Sequence, residues 1–229
     1  MQLCLDLFDY SSVKRLEEST GRKYVNNLGQ KIPSVTTILS HTQDKTQLLA
    51  WRKRVGDQVA DQISQESTSL GTLMHTHLEN YLLGKDRPGG TNFGRKMAHQ
   101  MADQIIHNGL KNVDQVWGIE VPLCYENLWA GTADLIGVHK GEPAIMDFKT
   151  TKKPKTRSRI DEYRLQLTAY RMCHDLSFNT NIRKLVVFMC SRDLQYQEFV
   201  YEFDNFDQDS TDWLWRVHDY YLPRKAGEL

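Results

Sequence analysis

Asp147 and Lys149 close an apolar run, Ala144-Ile145-Met146-Asp147-Phe148-Lys149. On a β-strand residues i and i+2 share a face, so the acid and the base point one way and Phe148 the other. Asp134 lies upstream in a second strand-like run, Gly131-Thr132-Ala133-Asp134-Leu135-Ile136. A short turn between the two runs makes them neighbours and brings the carboxylates together. Two convergent carboxylates form a hard-oxygen site suited to Mg²⁺, with water and substrate phosphate filling the other positions. A lysine beside them can orient an attacking water and offset charge growing on a phosphate. Asp-x-Lys alone equally describes a surface ion pair on an edge strand. A second acid intruding on a neighbouring apolar strand favours the site, because a charge inside such a strand needs a reason.

Gln166 and Tyr170 are spaced i, i+4 and so share one helix face after the lysine strand. They can reach a substrate backbone or the rim of the site, and they also fit an ordinary polar helix flank. Upstream, Gly71-Thr72-Leu73-Met74-His75 leads a helical stretch with Glu79 one turn on, without the His-Glu-x-x-His spacing of zinc proteases. His75 is a candidate ligand or a structural histidine. His77 falls by the Met74–Tyr81 stripe and is expected to be packed or partly exposed. Lys152, Lys153, Lys155, Arg157 and Arg159 follow Lys149 with no acid before Asp161. Such a run is usually a solvated loop, but directly after the lysine strand it can also hold a phosphate backbone. Arg52, Lys53 and Arg54 beside Trp51 offer a second basic and aromatic segment, suited to stacking on a single strand.

The elements that must position these residues can be read from hydrophobic period. A hairpin is expected at residues 22–32, with helices at 44–65, 71–83 and 93–108. Leu70, Met74, Leu78 and Tyr81 form the stripe of the second helix. Strands at 116–125, 129–138 and 142–149 are separated by short turns and predict an antiparallel meander. A helix over 160–176 buries Leu165, Ala169, Met172 and Leu176. Strands at 185–190 and 195–203, the latter at an edge, precede a closing helix at 207–221 with an acidic start. The order predicts one α/β domain over residues 1–229: a hairpin and helices at about 22–110, then a core at about 111–229 that carries the chemistry.

Composition agrees. The chain has 229 residues, with 40% hydrophobic and 25% charged, the balance of a globular protein. No apolar run approaches the roughly 20 residues that span a bilayer. The N-terminal residues, with Asp6 and Asp9, lack the basic flank of a signal peptide and the Arg-rich character of a transit peptide, which predicts a cytoplasmic protein of a bacterium or virus. Net charge is zero, so any nucleic-acid surface must be local. Cys4, Cys124, Cys173 and Cys190 have no close pair among them and read as buried free thiols.

Taken in order, Gly71-Thr-x-x-His75, Gly131-Thr-x-Asp134, Asp147-x-Lys149 and Gln166-x-x-x-Tyr170 resemble the RecB-type branch of the PD-(D/E)XK nucleases. Ile32-Pro33-Ser34-Val35-Thr36 and Asp147-Phe-Lys149-Thr-Thr-Lys-Lys-Pro154-Lys resemble, more closely, the mitochondrial genome maintenance exonuclease group. The resemblance covers roughly residues 24–222. It implies a restriction-endonuclease-like mixed central sheet flanked by helices, with extra N-terminal helices. It also implies a Mg²⁺- or Mn²⁺-dependent exonuclease on single-stranded DNA ends and flaps, in replication, repair or recombination, releasing 5′-phosphate products. On matching positions Asp134 and Asp147 become metal ligands, Lys149 the catalytic lysine and His75 a further ligand. Gln166 and Tyr170 become substrate-contacting or supporting residues, and Lys152, Lys153 and Lys155 candidate DNA contacts. Glu120 is a weaker candidate for an extra carboxylate. Some relatives hold an iron–sulfur cluster on one early and three late cysteines, a set this chain does not complete, so none is expected. A duplex-preferring exo- or endonuclease, and a DNA-binding module that does not cut, are the alternatives.

Overall fold

A computed structural model describes residues 1–18, 21–26, 28–202 and 206–223. The expected meander forms from β5 (Val113–Tyr125), β6 (Trp129–His139) and β7 (Glu142–Thr151), paired antiparallel in sequence order. Lys140 and Gly141, with φ of 49° and 82°, turn β6 into β7. A two-residue loop with both φ positive matches the right-handed twist of the strands it joins. From β7 the chain crosses through α5 (Asp161–Phe178) to β8 (Lys184–Ser191), which runs parallel to β7. β9 (Tyr196–Glu202) then pairs antiparallel with β8 as the expected edge strand, and β1 (Gln2–Leu3) closes the opposite edge beside β5. The sheet is therefore mixed, in the order β1-β5-β6-β7-β8-β9.

Helices cover both faces. α3 (Asp57–Leu82) and α4 (Phe93–Asn108) bury Leu70, Met74, Leu78, Met101 and Ile105 against Met146, Phe148 and Phe188. α1 (Val35–Thr42), α5 and α6 (Phe206–Tyr221) cover the other face, with Trp129 and Trp213 fully buried between them. Residues 144, 146 and 148 thus face α3 and α4, while Ile145 faces α5. Alternation then sends Asp147 and Lys149 to the α5 side and Phe148 away from them, as the sequence predicts. A small antiparallel sheet of β2 (Val13–Glu18), β3 (Gly21–Asn26) and β4 (Lys31–Ile32) contains the expected hairpin. It is fixed to β6 by Val13, Tyr24 and Ile32 packed on Ala130.

Several expectations are corrected. The helix expected at 44–65 breaks into α2 (Thr46–Val55) and α3, because Gly56 takes φ 86°, ψ 147°, which no helix tolerates. The separate helix expected at 71–83 is the second half of α3, which runs through Gly71 unbroken. Tyr81, expected in its stripe, is 42% exposed, and Leu82 is buried instead. On α5, Leu176 is likewise exposed and Met172 only partly buried, while Leu167, Tyr170, Cys173 and His174 are buried. That helix is wedged between the sheet, α1 and α6, so more than one stripe is covered. His77, expected to be packed or partly exposed, is buried. Residue 203, the expected end of β9, lies outside the described residues.

Candidate active site

The β6–β7 ladder pairs Leu135 with Met146 and goes no further toward the C-terminal end of β7. Beyond that point Phe148 presents an N–H and a C=O toward β6 with no strand to receive them. Side chains take both: the Phe148 N–H donates to Asp134 Oδ2 at 2.8 Å, and its carbonyl accepts from His75 Nε2 at 2.8 Å. The strands separate there, and the opening is a cleft of about 500 Å³. Because a carbonyl only accepts, Nε2 must carry the hydrogen, which turns Nδ1 inward. Nδ1 lies 3.6 Å from Asp134 Oδ1 and 3.6 Å from Glu120 Oε1. Glu120 sits in β5 at φ 49°, a left-handed backbone that costs about 1–2 kcal/mol for a residue with a side chain. Its carboxylate lines the cleft all the same.

Asp147 is fully buried, and its Oδ2 lies 2.6 Å from Lys149 Nζ. Its Oδ1 accepts from Gln166 Nε2 at 3.3 Å, and the same amide nitrogen donates to Tyr170 Oη at 3.1 Å. Gln166 and Tyr170 are both buried while still reaching the cleft wall, so they brace Asp147 rather than stand free on a rim. Gly131 makes room for this brace, since a Cβ there would lie 2.4 Å from Tyr170 Cε1. Tyr163, one turn earlier on α5, lies under two cations, with Lys149 Nζ 4.9 Å and Lys155 Nζ 5.2 Å from its ring centroid.

The charges are strongly interdependent. Burial pushes the Asp134 carboxyl up to about 7, against the pull of His75 and with the help of Asp147. Burial pulls the His75 imidazole down, but Asp134 and Glu120 outweigh it and hold it up at about 9. Lys149 is also disfavoured by burial, yet Asp147 and Asp134 raise it above the ordinary lysine value. Burial, with Tyr24 and Asp147 nearby, keeps Tyr170 a neutral phenol.

This donor set suits a divalent cation. Ligand atoms of His75, Glu120 and Asp134 all lie within 4.8 Å of one another. Two carboxylates are the hard-oxygen donors that Mg²⁺ or Mn²⁺ takes, an imidazole beside them suits Mn²⁺ better than Mg²⁺, and the His75–Phe148 bond would be the outer support of a ligating histidine. Glu120, the weaker candidate in sequence, belongs to this trio. Asp147 is turned instead toward Lys149 and Gln166.

Lys152 and Lys153 are exposed on the loop after β7, while Lys155 is half-buried and its Nζ lies 3.4 Å from Tyr163 Oη. Arg157 is spent elsewhere, on the Tyr201 ring and the Val200 carbonyl. Arg52 is paired with Asp57 and Asp61, leaving Lys53 and Arg54 as the exposed cations of α2. Sequence reasoning missed Arg15, Tyr24 and Tyr163, which all line the cleft. Tyr163 had a usable signal, standing three residues before Gln166 on the same helix.

No family model matches the chain. It is 26% identical over 212 residues to mitochondrial genome maintenance exonuclease 1 of Homo sapiens, a match covering 86% of this chain and 60% of the relative. The protein of the same name from Xenopus tropicalis is 28% identical over 180 residues, covering 71% of this chain and 49% of the relative. The chain thus spans about half to three-fifths of the length of these curated relatives. Their mitochondrial names lend no support to the cytoplasmic, bacterial or viral setting expected from the N-terminal residues. Among solved structures, the alkaline exonuclease of Laribacter hongkongensis superposes loosely, with TM-score 0.31 and 16% identity over 65% of this chain and 79% of that one. No helix among the described residues is long and apolar enough to cross a membrane. The chain is thus similar over most of its length to the mitochondrial genome maintenance exonucleases, and residues of its four sequence motifs gather at one cleft.

Proposed function

We propose that the protein is a metal-dependent DNA exonuclease that hydrolyses phosphodiester bonds from single-stranded ends or flaps. One observation carries the reading: the His75–Glu120–Asp134 trio and the Lys149–Asp147 pair meet in one cleft, at the point where β6 and β7 separate. His75, Glu120 and Asp134 would hold the cation, with Asp147 beside them. When bound, Mg²⁺ or Mn²⁺ supplies Lewis-acid polarisation of the phosphoryl oxygen and eases deprotonation of water. Lys149 offers its ammonium to the oxygens on which charge grows, and Asp147 holds that ammonium in place. Gln166 and Tyr170 fix Asp147 in turn. Water attacks phosphorus, the bond to the 3′ oxygen breaks, and the two products end in a 3′-hydroxyl, which takes up a proton, and a 5′-phosphate. In this reading the cleft, lined by residues of β2, β3, α3 and α5, takes one strand, and Lys152, Lys153 and Lys155 on the loop after β7 follow its backbone.

The test is cleavage of end-labelled single strands, duplexes and flaps, each with Mg²⁺ and with a chelator. Chelator-sensitive shortening of single strands and flaps is expected. Cutting of duplex alone would overturn the strand preference, and binding without cutting would leave a non-catalytic module on the same fold.

A further inference from the structure

Arg15 is the cleft cation to which the reaction above gives no task. On β2, residues 13 and 15 share a face. Val13 is buried against Tyr24, Ile32 and Ala130, so Arg15 is carried toward the cleft. Its antiparallel partner is Tyr24, whose hydroxyl lies 2.9 Å from Thr132 Oγ1, two residues from Asp134. The small sheet is thereby pinned next to the trio. Arg15 Nη1 lies 3.4 Å from Glu120 Oε2, while the other oxygen of the same carboxylate faces His75 Nδ1 at 3.6 Å. One carboxylate is shared between a cation-type cluster and a guanidinium.

We propose that Arg15 is a substrate-binding residue held in reserve on Glu120: once a divalent cation engages the trio, the guanidinium turns to a phosphate of the strand in the cleft. The inference rests on the metal-dependent nuclease reading above. The Arg15–Glu120 contact at 3.4 Å is longer than the charge-assisted bonds that arginine makes in bidentate geometry with carboxylate or phosphate. Glu120 directed at a divalent cation has less charge left for Arg15. Of the described residues lining the cleft, the only other lysine or arginine is Lys149, which Asp147 already holds. The planar guanidinium fork is the side chain best matched to a phosphodiester.

Coupling of this kind is reciprocal: whatever competes with the cation for Glu120 must weaken cation binding, and removing it must strengthen that binding. The experiment compares wild type with Arg15→Gln, both as the full chain, in two arms. In the first, Mn²⁺ binding is titrated calorimetrically without DNA, and Arg15→Gln should bind Mn²⁺ about fivefold tighter. In the second, both proteins carry Lys149→Met to prevent cutting, and affinity for a short single strand is measured with Mn²⁺ and with a chelator. With Mn²⁺ the arginine variant should bind DNA about tenfold more weakly, with a salt slope shallower by about 0.7, the value of one phosphate contact on a single strand. With chelator the two should agree within about twofold, because the contact is not yet made. Arg15→Lys, which keeps the charge without the fork, should preserve the slope and fall between the two in affinity; it serves if the glutamine variant does not fold. Unchanged or weaker Mn²⁺ binding in Arg15→Gln would overturn the proposal, as would an equal loss of DNA affinity with and without Mn²⁺. A wild-type protein that binds no Mn²⁺ at all would overturn the nuclease reading itself, a different and separable result.

Discussion

Replacing Gly131 by alanine places a methyl carbon 2.4 Å from Cε1 and 3.1 Å from Cζ and Oη of Tyr170. Non-bonded carbons rest at about 3.5–4.0 Å, so the ring must retreat by roughly 1 Å. Tyr170 is buried, and overpacking of this kind costs about 1–3 kcal/mol. In a chain of this size that lowers Tm by roughly 2–12 °C. The second consequence lies at the site. Tyr170 Oη accepts from Gln166 at 3.1 Å, and a retreat of about 1 Å takes that contact past hydrogen-bonding range. Gln166 then loses its fixed position and Asp147 its support, and misplacement on this scale costs up to about a hundredfold in rate. Thermal and urea unfolding in chelator read the first effect, and single-turnover cleavage of an end-labelled strand at saturating Mg²⁺ reads the second. Tyr170→Leu separates clash from general damage. Alone it leaves space beside Gly131 and costs about 2–4 kcal/mol, but in the double mutant the new methyl occupies part of that space. The combined cost should fall short of the sum by about 1 kcal/mol or more. Strict additivity, or a Gly131→Ala protein with wild-type Tm and rate, would refute the bracing argument.

Lys149→Ala and Asp147→Ala should each abolish cleavage in a folded protein that still binds DNA, and Lys149→Arg should fail too, since a planar guanidinium does not replace a compact ammonium here; wild-type turnover in any of them removes the catalytic assignment. His75→Ala should raise the metal concentration needed for half-maximal activity, with partial rescue by extra Mn²⁺, whereas His77→Ala, at a buried site, should alter stability alone. Neutralising Lys152, Lys153 and Lys155 together should make the slope of log affinity against log salt shallower by up to about 2 on a single strand; an unchanged slope moves the strand's path to Lys53 and Arg54. Glu198 gives a pH test of the edge strand: burial raises its carboxyl, but bonds from His139, Lys140 and Tyr196 outweigh this and hold it down at about 2. A carboxyl lowered on folding stabilises above its unfolded value of 4.5 and loses that contribution as pH falls through about 2. Glu198→Gln should therefore cost up to about 3 kcal/mol at pH 7 and roughly half that at pH 3, by urea midpoints; equal costs at both pH values refute the assignment.

The strands, the crossover helix and the grouping of Asp134, Asp147 and Lys149 were legible in the sequence because each rests on local pattern. Period-two alternation through residues 113–151 fixes which side chains leave β7 together, and hence that Asp147 and Lys149 oppose Phe148. One short hairpin then suffices to bring Asp134 beside them. The helical layer was less legible. Gly56 ends α2 through its backbone angles, a choice open to glycine but not forced by it, and α1 is too short to show a period although Ser34 caps it. Only the tertiary structure decided the rest of the site. Glu120 enters the trio through a left-handed backbone within a strand, and Arg15 arrives from a small sheet more than a hundred residues away in sequence. No local spacing encodes such meetings, because long-range packing of the small sheet on Ala130 and the end of the β6–β7 ladder bring these groups together. The sequence determined which side chains could do the chemistry, and the separation of two strands at Phe148 decided which of them meet.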